Sequence, residues 1–199
     1  MATTMAHRGP DAETVWHDDV AGLAFRRLAI IDLHERSNQP MHHGALHLVF
    51  NGEIYNYIEL RDELRGLGHE FVTAGDTEVL LHAWAQWGEG ALDRVNGMFA
   101  FAIWDGVRRR LTLATDPFAE KPLFYVPALD GRLLFGSDVR ALRAADAGLG
   151  EPDLDALRRF VALGTMPVLP ATFYARVRRL PGAHLARWEG GALSVRRYW

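Results

Sequence analysis

The stretch Phe50-Asn51-Gly52-Glu53-Ile54-Tyr55-Asn56-Tyr57 closes an apolar run at residues 46–50 and leads directly into a helical pattern. An Asn-Gly pair at the end of a strand has two readings. One is a hairpin turn, because Asn and Gly both tolerate positive φ. The other places the Asn51 amide and the Gly52 backbone N–H as two converging donors, able to stabilise the oxyanion of a tetrahedral intermediate in acyl transfer. In that reading Gly52 is needed because a Cβ would crowd the approaching carbonyl. Two residues alone do not choose between them.

Working outward, residues 23–31 (LAFRRLAII), 46–50, 99–104 (FAFAIW), 111–114, 124–126 and 133–135 read as short strands rich in aromatic and aliphatic residues. Helical patterns lie between them. Residues 57–67 place Ile58, Leu60, Leu64 and Leu67 near one face before Gly68. Residues 76–87 open on Asp76 as an expected N-cap and space Val79, Leu80, Ala83 and Trp87 for a buried stripe. Residues 153–163 open the same way on Asp153. Hairpin-like pairs with helices inserted imply an α+β protein, antiparallel sheets covered by helices, and no GxGxxG or Walker loop argues for a nucleotide-binding βαβ sheet. No repeat is present, and only residues 145–152 have the composition of a linker.

The chain has 199 residues, 49% in the hydrophobic set, enough for a full core and incompatible with intrinsic disorder. Its 22 Lys+Arg against 25 Asp+Glu leave a net charge of −3, which offers no global field for nucleic acid or an anionic membrane. No apolar run approaches the ~20 residues of a membrane span, and no secretory signal opens the chain. It is read as soluble and cytoplasmic. It contains no cysteine, which removes disulfides, thiolate metal sites and any cysteine nucleophile.

An ordered set of motifs then narrows the reading: HRGPD (7–11), RRLAIID (26–32), QPM (39–41), NGEIYNY (51–57), GDTEV (75–79), NGMFAFAIWD (96–105) and DPFAEKPLFY (116–125), with a closing LPG (180–182) and Tyr198-Trp199. In this order the chain resembles the class II glutamine amidotransferase domain of glutamine-hydrolysing asparagine synthetases over nearly its full length. The resemblance implies an N-terminal-nucleophile hydrolase fold, a four-layer αββα sandwich with antiparallel sheets. It implies L-glutamine as substrate and ammonia as the product delivered to a carbon–nitrogen ligase that amidates aspartate.

By the same resemblance Asn51 and Gly52 are the oxyanion donors and Arg27 grips the substrate α-carboxylate, a task suited to a planar guanidinium. Glu53 and Asp76 anchor the α-ammonium, and the backbone of Leu28, Ala29, Ile30 and Ile31 forms one wall. Strand alternation sends Arg26 and Arg27 to opposite faces, so only Arg27 is expected to line the pocket.

The chain departs from that family in two ways. A nucleophilic cysteine, a first strand and a helix are expected before HRGPD, where six residues stand. The expectation is therefore one domain over residues 1–199, truncated at its N-terminus, lacking one strand of a sheet, and without glutaminase activity. Residues 152–199 are expected as a closing segment toward an absent synthetase domain, which would carry ATP and Mg; no cofactor and no metal are expected here. A second hypothesis is a non-catalytic glutamine-sensing or scaffolding module that docks to a separate synthetase chain. Smaller departures are Phe25, beside Arg27, and Ala119, which would strain its turn if the position needs positive φ.

The remaining candidates read as structural. His42, His43 and His47 are expected as surface histidines, with no cysteine or nearby carboxylate to make a metal site. The charged cluster at residues 116–121 is a turn fixed by Pro117 and Pro122. The Arg108-Arg109-Arg110 run is a solvated hairpin tip.

Overall fold

The computed structural model describes residues 1–127 and 131–199. Its centre is a six-stranded antiparallel sheet of β3 (Met41–His43), β4 (Leu46–Ile54), β5 (Gly97–Asp105), β6 (Arg110–Thr115), β10 (His184–Glu189) and β11 (Ala192–Arg197), in the order β11-β10-β6-β5-β4-β3. A two-stranded sheet, β1 (Ala12–His17) with β2 (Gly22–Arg27), and a three-stranded sheet ordered β8-β7-β9, from β7 (Phe124–Pro127), β8 (Leu133–Gly136) and β9 (Arg178–Arg179), complete the strands.

Strand alternation divides the core. From the central sheet, Leu48, Phe50, Phe99, Phe101 and Ile103 face α1 (Tyr57–Gly66) and α2 (Asp76–Trp87), packing on Leu60, Leu64, Val79, Leu80 and Ala83. From its other face Ala100, Ala102, Trp104, Leu111 and Leu113 meet Leu23 of β2, Tyr125 of β7, Leu123 and Leu180. Beyond that second layer Val126, Leu142, Leu149 and Val177 pack beneath α3 (Val139–Ala145). The layers run helix, sheet, sheet, helix, which is the α+β sandwich expected. The second sheet layer is divided: β2 and β8 each end their own sheet, and residues of both line one cavity.

Several local expectations are corrected. The strand expected at 46–50 continues through Asn51 and Gly52 to Ile54, so Asn-Gly is no hairpin turn; Asn51 lies opposite Ala100 and Gly52 opposite Phe99. Gly52 has φ +153°, and a Cβ there would stand 2.1 Å from the Met98 carbonyl oxygen. The glycine is required by the neighbouring strand rather than by an incoming carbonyl. The strand expected at 23–31 stops at Arg27, and residues after it form a loop.

On α1 the buried positions are Leu60, Arg61 and Leu64, while Ile58 and Leu67 are exposed. Asp76 is the first residue of α2 and Gly75 holds the cap position, so Asp76 is not the N-cap. Asp153 does cap α4 (Leu154–Leu163), accepting from Ala156 N–H at 2.9 Å. The linker-like segment is a short 3-10 turn, Ala147–Gly150, whose Leu149 is buried in the core.

The other structural expectations have atomic explanations. The Asp116 carboxylate accepts four backbone N–H bonds, from Phe99, Phe118, Glu120 and Lys121, at 2.9 to 3.2 Å. Ala119 within that turn has φ 53°, so a non-glycine residue occupies the left-handed region. At the β5–β6 tip Arg108 pairs with Asp105 at 2.8 Å and Arg109 with Asp19 at 3.1 Å. No helix among the described residues is long and apolar enough to cross a membrane.

Candidate functional site

A cavity of about 550 Å³ opens between the central sheet, β2 and β8. Arg27, Asn51, Gly52, Glu53 and Asp76 all lie on its wall, although they come from β2, β4 and the first turn of α2. Leu28, Ile30 and Ile31 also line it. Ala29 does not: its N–H donates to the Asp11 carboxylate at 2.8 Å, and the residue stands outside the cavity wall. Arg26 lines the cavity too, contrary to the alternation argument, but its guanidinium is held by the Gly9 carbonyl at 3.0 Å and by Glu13 at 2.5 Å.

Arg27 is buried, and the loop that follows it supplies its partners. Nη1 donates to the His34 carbonyl at 2.8 Å and to Asn38 Oδ1 at 2.9 Å, and Nη2 donates to the Asp32 carbonyl. Three of five N–H donors are thereby used. Nε has no acceptor among the described residues, which leaves the guanidinium donor capacity for a further partner. The loop is tethered in turn. The Asp32 carboxylate accepts from Ala74 N–H at 2.8 Å, from His34 N–H and from Arg36. The Ala74 bond is the main reason its pKa falls to about 2.

Carboxylates line the same cavity. Asp76 is 6% exposed, and its Oδ2 accepts from Ile54 N–H at 2.9 Å. Burial raises its pKa above the ordinary carboxylate value, with the Glu53 charge adding to the rise and the backbone N–H groups of Ile54 and Thr77 opposing it. The cavity lining therefore carries the Arg27 guanidinium together with two carboxylates. Asn51 Nδ2 is buried with no hydrogen-bond partner among the described residues, as is Ser37 Oγ, and both residues line the cavity. A buried donor left unpaired costs about 1–3 kcal/mol, so each is poised for a polar ligand.

Residues that pattern reading missed hold this geometry. Gln39 Oε1 accepts from Phe50 N–H at 2.6 Å, next to Asn51. Arg61 on α1 donates to the Thr73 and Gly75 carbonyls at 2.6 and 2.7 Å, and Glu78 accepts from Val72 N–H, Thr73 N–H and the Thr73 hydroxyl. Together they fix the loop that delivers Asp76. Gln39 and Glu78 do fall within the quoted QPM and GDTEV motifs, which is the sequence signal that marks them.

Comparison with known proteins agrees with this architecture. The family described as "Glutamine amidotransferase domain" matches residues 1–199. Asparagine synthetase [glutamine-hydrolyzing] 1 of Bacillus subtilis is 38% identical across 100% of this chain, which covers 31% of that protein. A putative asparagine synthetase [glutamine-hydrolyzing] of Mycobacterium tuberculosis is 40% identical over 98% of this chain and 32% of its own length. The chain thus spans about a third of these curated relatives. Among solved structures, glutamine phosphoribosylpyrophosphate amidotransferase from B. subtilis superposes with a TM-score of 0.63 at 20% identity, over 89% of this chain and 35% of that one. That likeness supports the N-terminal-nucleophile hydrolase fold. The chain belongs to the glutamine amidotransferase domain family, in the class II form that asparagine synthetases carry.

Proposed function

We propose that the cavity binds L-glutamine and that the chain is the glutamine half of an asparagine-synthetase-type amidotransferase. The observation that carries this reading is the make-up of one cavity lining: the Arg27 guanidinium, the Glu53 and Asp76 carboxylates and the unpartnered Asn51 amide all belong to it. A zwitterionic amino acid needs one cationic and one anionic partner for its α-groups. A side-chain amide carbonyl needs a donor, which Asn51 Nδ2 supplies. In this arrangement Arg27 takes the α-carboxylate, Glu53 and Asp76 take the α-ammonium, and Asn51 with Gly52 faces the amide oxygen.

The 199 residues contain no cysteine and therefore no thiolate to attack the amide. This polypeptide binds glutamine without hydrolysing it. Ammonia release and ATP-dependent amidation of aspartate need groups that these residues do not supply, and ATP and Mg belong to a synthetase part.

The surface also suits a role beside a synthetase partner. No residue of α4 is buried, and Leu154, Val161, Leu163, Met166 and Val168 are all exposed on it and the segment after it. Exposed apolar side chains at this density suit a protein contact.

The test is a thermal-shift series on the purified chain with L-glutamine, D-glutamine and glutaramide, alongside an ammonia assay. A saturable rise in Tm with L-glutamine alone, and no ammonia, supports the reading. Equal responses to all three, or steady ammonia release, overturn it.

A further inference from the structure

Outside the cavity lining, three histidines from separate segments converge. His43 ends β3, His69 follows α1, and His82 lies in the middle of α2. We propose that His43, His69 and His82 form a metal site for a divalent borderline ion of the Zn²⁺ class, with water as the fourth ligand. One ring nitrogen from each lies within 4.8 Å of the others, and the Nδ1 atoms of His69 and His82 face each other at 2.9 Å.

The distances fit such an ion. Zn–N bonds of 2.0–2.1 Å in a tetrahedron set ligand nitrogens about 3.3 Å apart, between the closest and the widest spacing in this trio. Binding would draw the three nitrogens to that common spacing. The donor set is all imidazole, with no thiolate or hard oxygen ligand, which suits Zn²⁺, Ni²⁺ or Cu²⁺ rather than Mg²⁺ or Ca²⁺.

The surroundings orient the ligands as well. His69 Nε2 lies 2.9 Å from the Gln86 side-chain oxygen. That oxygen can only accept, so His69 carries its proton on Nε2 and turns the Nδ1 lone pair inward, the usual arrangement behind a metal-bound histidine. His82 is 6% exposed, with the Phe71 ring 4.7 Å from its own. The nearest carboxylate on the same helix, Glu78, is committed to Val72 and Thr73. His43 is exposed, which leaves an entry path and room for the water.

None of the three residues lines the 550 Å³ cavity, so the site stands independently of the glutamine reading. An ion there would join β3 to α2, the helix whose first turn carries Asp76.

The experiment uses tag-free protein freed of metal by chelator dialysis. Co²⁺ is titrated while its visible d–d absorption is followed, then displaced with Zn²⁺, and bound zinc is counted after gel filtration. The expected result is an intense tetrahedral Co²⁺ spectrum saturating at one equivalent and one Zn²⁺ retained. His43→Ala and His69→Ala each weaken binding at least about tenfold. His42→Ala, the adjacent residue whose ring lies toward His47, leaves it unchanged. No tetrahedral band, zinc retained well below one equivalent, or equal affinity in His43→Ala and His42→Ala overturns the proposal and leaves only a His69–His82 hydrogen bond.

Discussion

Arg27 donates to the backbone carbonyl of Asp32, and the Asp32 carboxylate accepts from Ala74 N–H at 2.8 Å. The guanidinium is thus held by a loop that is itself tied to the segment leading into α2. Arg27 and the segment that delivers Asp76 are thereby positioned through one intervening residue.

This tether is sensitive to acid. The folded pKa of Asp32 is depressed to about 2 from an ordinary value of 3.8. Its stabilising contribution is therefore fully present above the unfolded value and is lost as pH falls through about 2. Melting curves from pH 6 to 2 should show the wild-type advantage over Asp32→Asn shrinking below pH 4 and vanishing near pH 2. A constant difference across that range would contradict the assignment.

Gly52→Ala tests the packing of β4 on β5. Its Cβ would sit 2.1 Å from the Met98 carbonyl oxygen and 2.7 Å from Phe99 Cα, both backbone atoms in the central sheet. The strands must separate, at a cost of roughly 3 kcal/mol or more. Urea denaturation should show a midpoint shift of that size or an insoluble product.

Asp116→Ala removes the acceptor for four backbone N–H groups around a carboxylate that is fully buried. Leaving several buried donors unpaired predicts a loss of about 3–5 kcal/mol, and Asp116→Asn, which keeps one carbonyl oxygen, a smaller one. The order of denaturation midpoints, wild type above Asn above Ala, is the check.

Ala119→Gly has the opposite sign. The left-handed φ of 53° costs a non-glycine residue about 1 kcal/mol or more, offset in part by the extra freedom glycine gives the unfolded chain. A gain of roughly 0.5 kcal/mol in chemical denaturation is expected.

Much of this was legible in the sequence because it depends on local signals. Asp153 as a cap and the turn at Asp116 follow from residue type and position, while Ala119 stands out as a departure from the family pattern. The site residues Arg27, Asn51, Glu53 and Asp76 stand within ordered motifs, and all four fall on one cavity. What pattern reading could not reach depends on contacts far apart in the chain. Asn51-Gly52 resembles a turn because its glycine answers to Met98, a residue on another strand. Arg61 lies on a buried face of α1 because the Thr73 and Gly75 carbonyls satisfy its charge, whereas periodicity counts any arginine as solvated. His43 was grouped with its sequence neighbours His42 and His47, while its spatial neighbours are His69 and His82.

Calorimetric titration of L-glutamine into the folded wild-type chain and into Arg27→Lys tests the central claim most directly, since lysine keeps the charge and loses the planar fork. One saturable site in the wild type, weakened about tenfold or more in Arg27→Lys, is the predicted result. No binding to the folded wild type, or equal affinity in the two proteins, would contradict it.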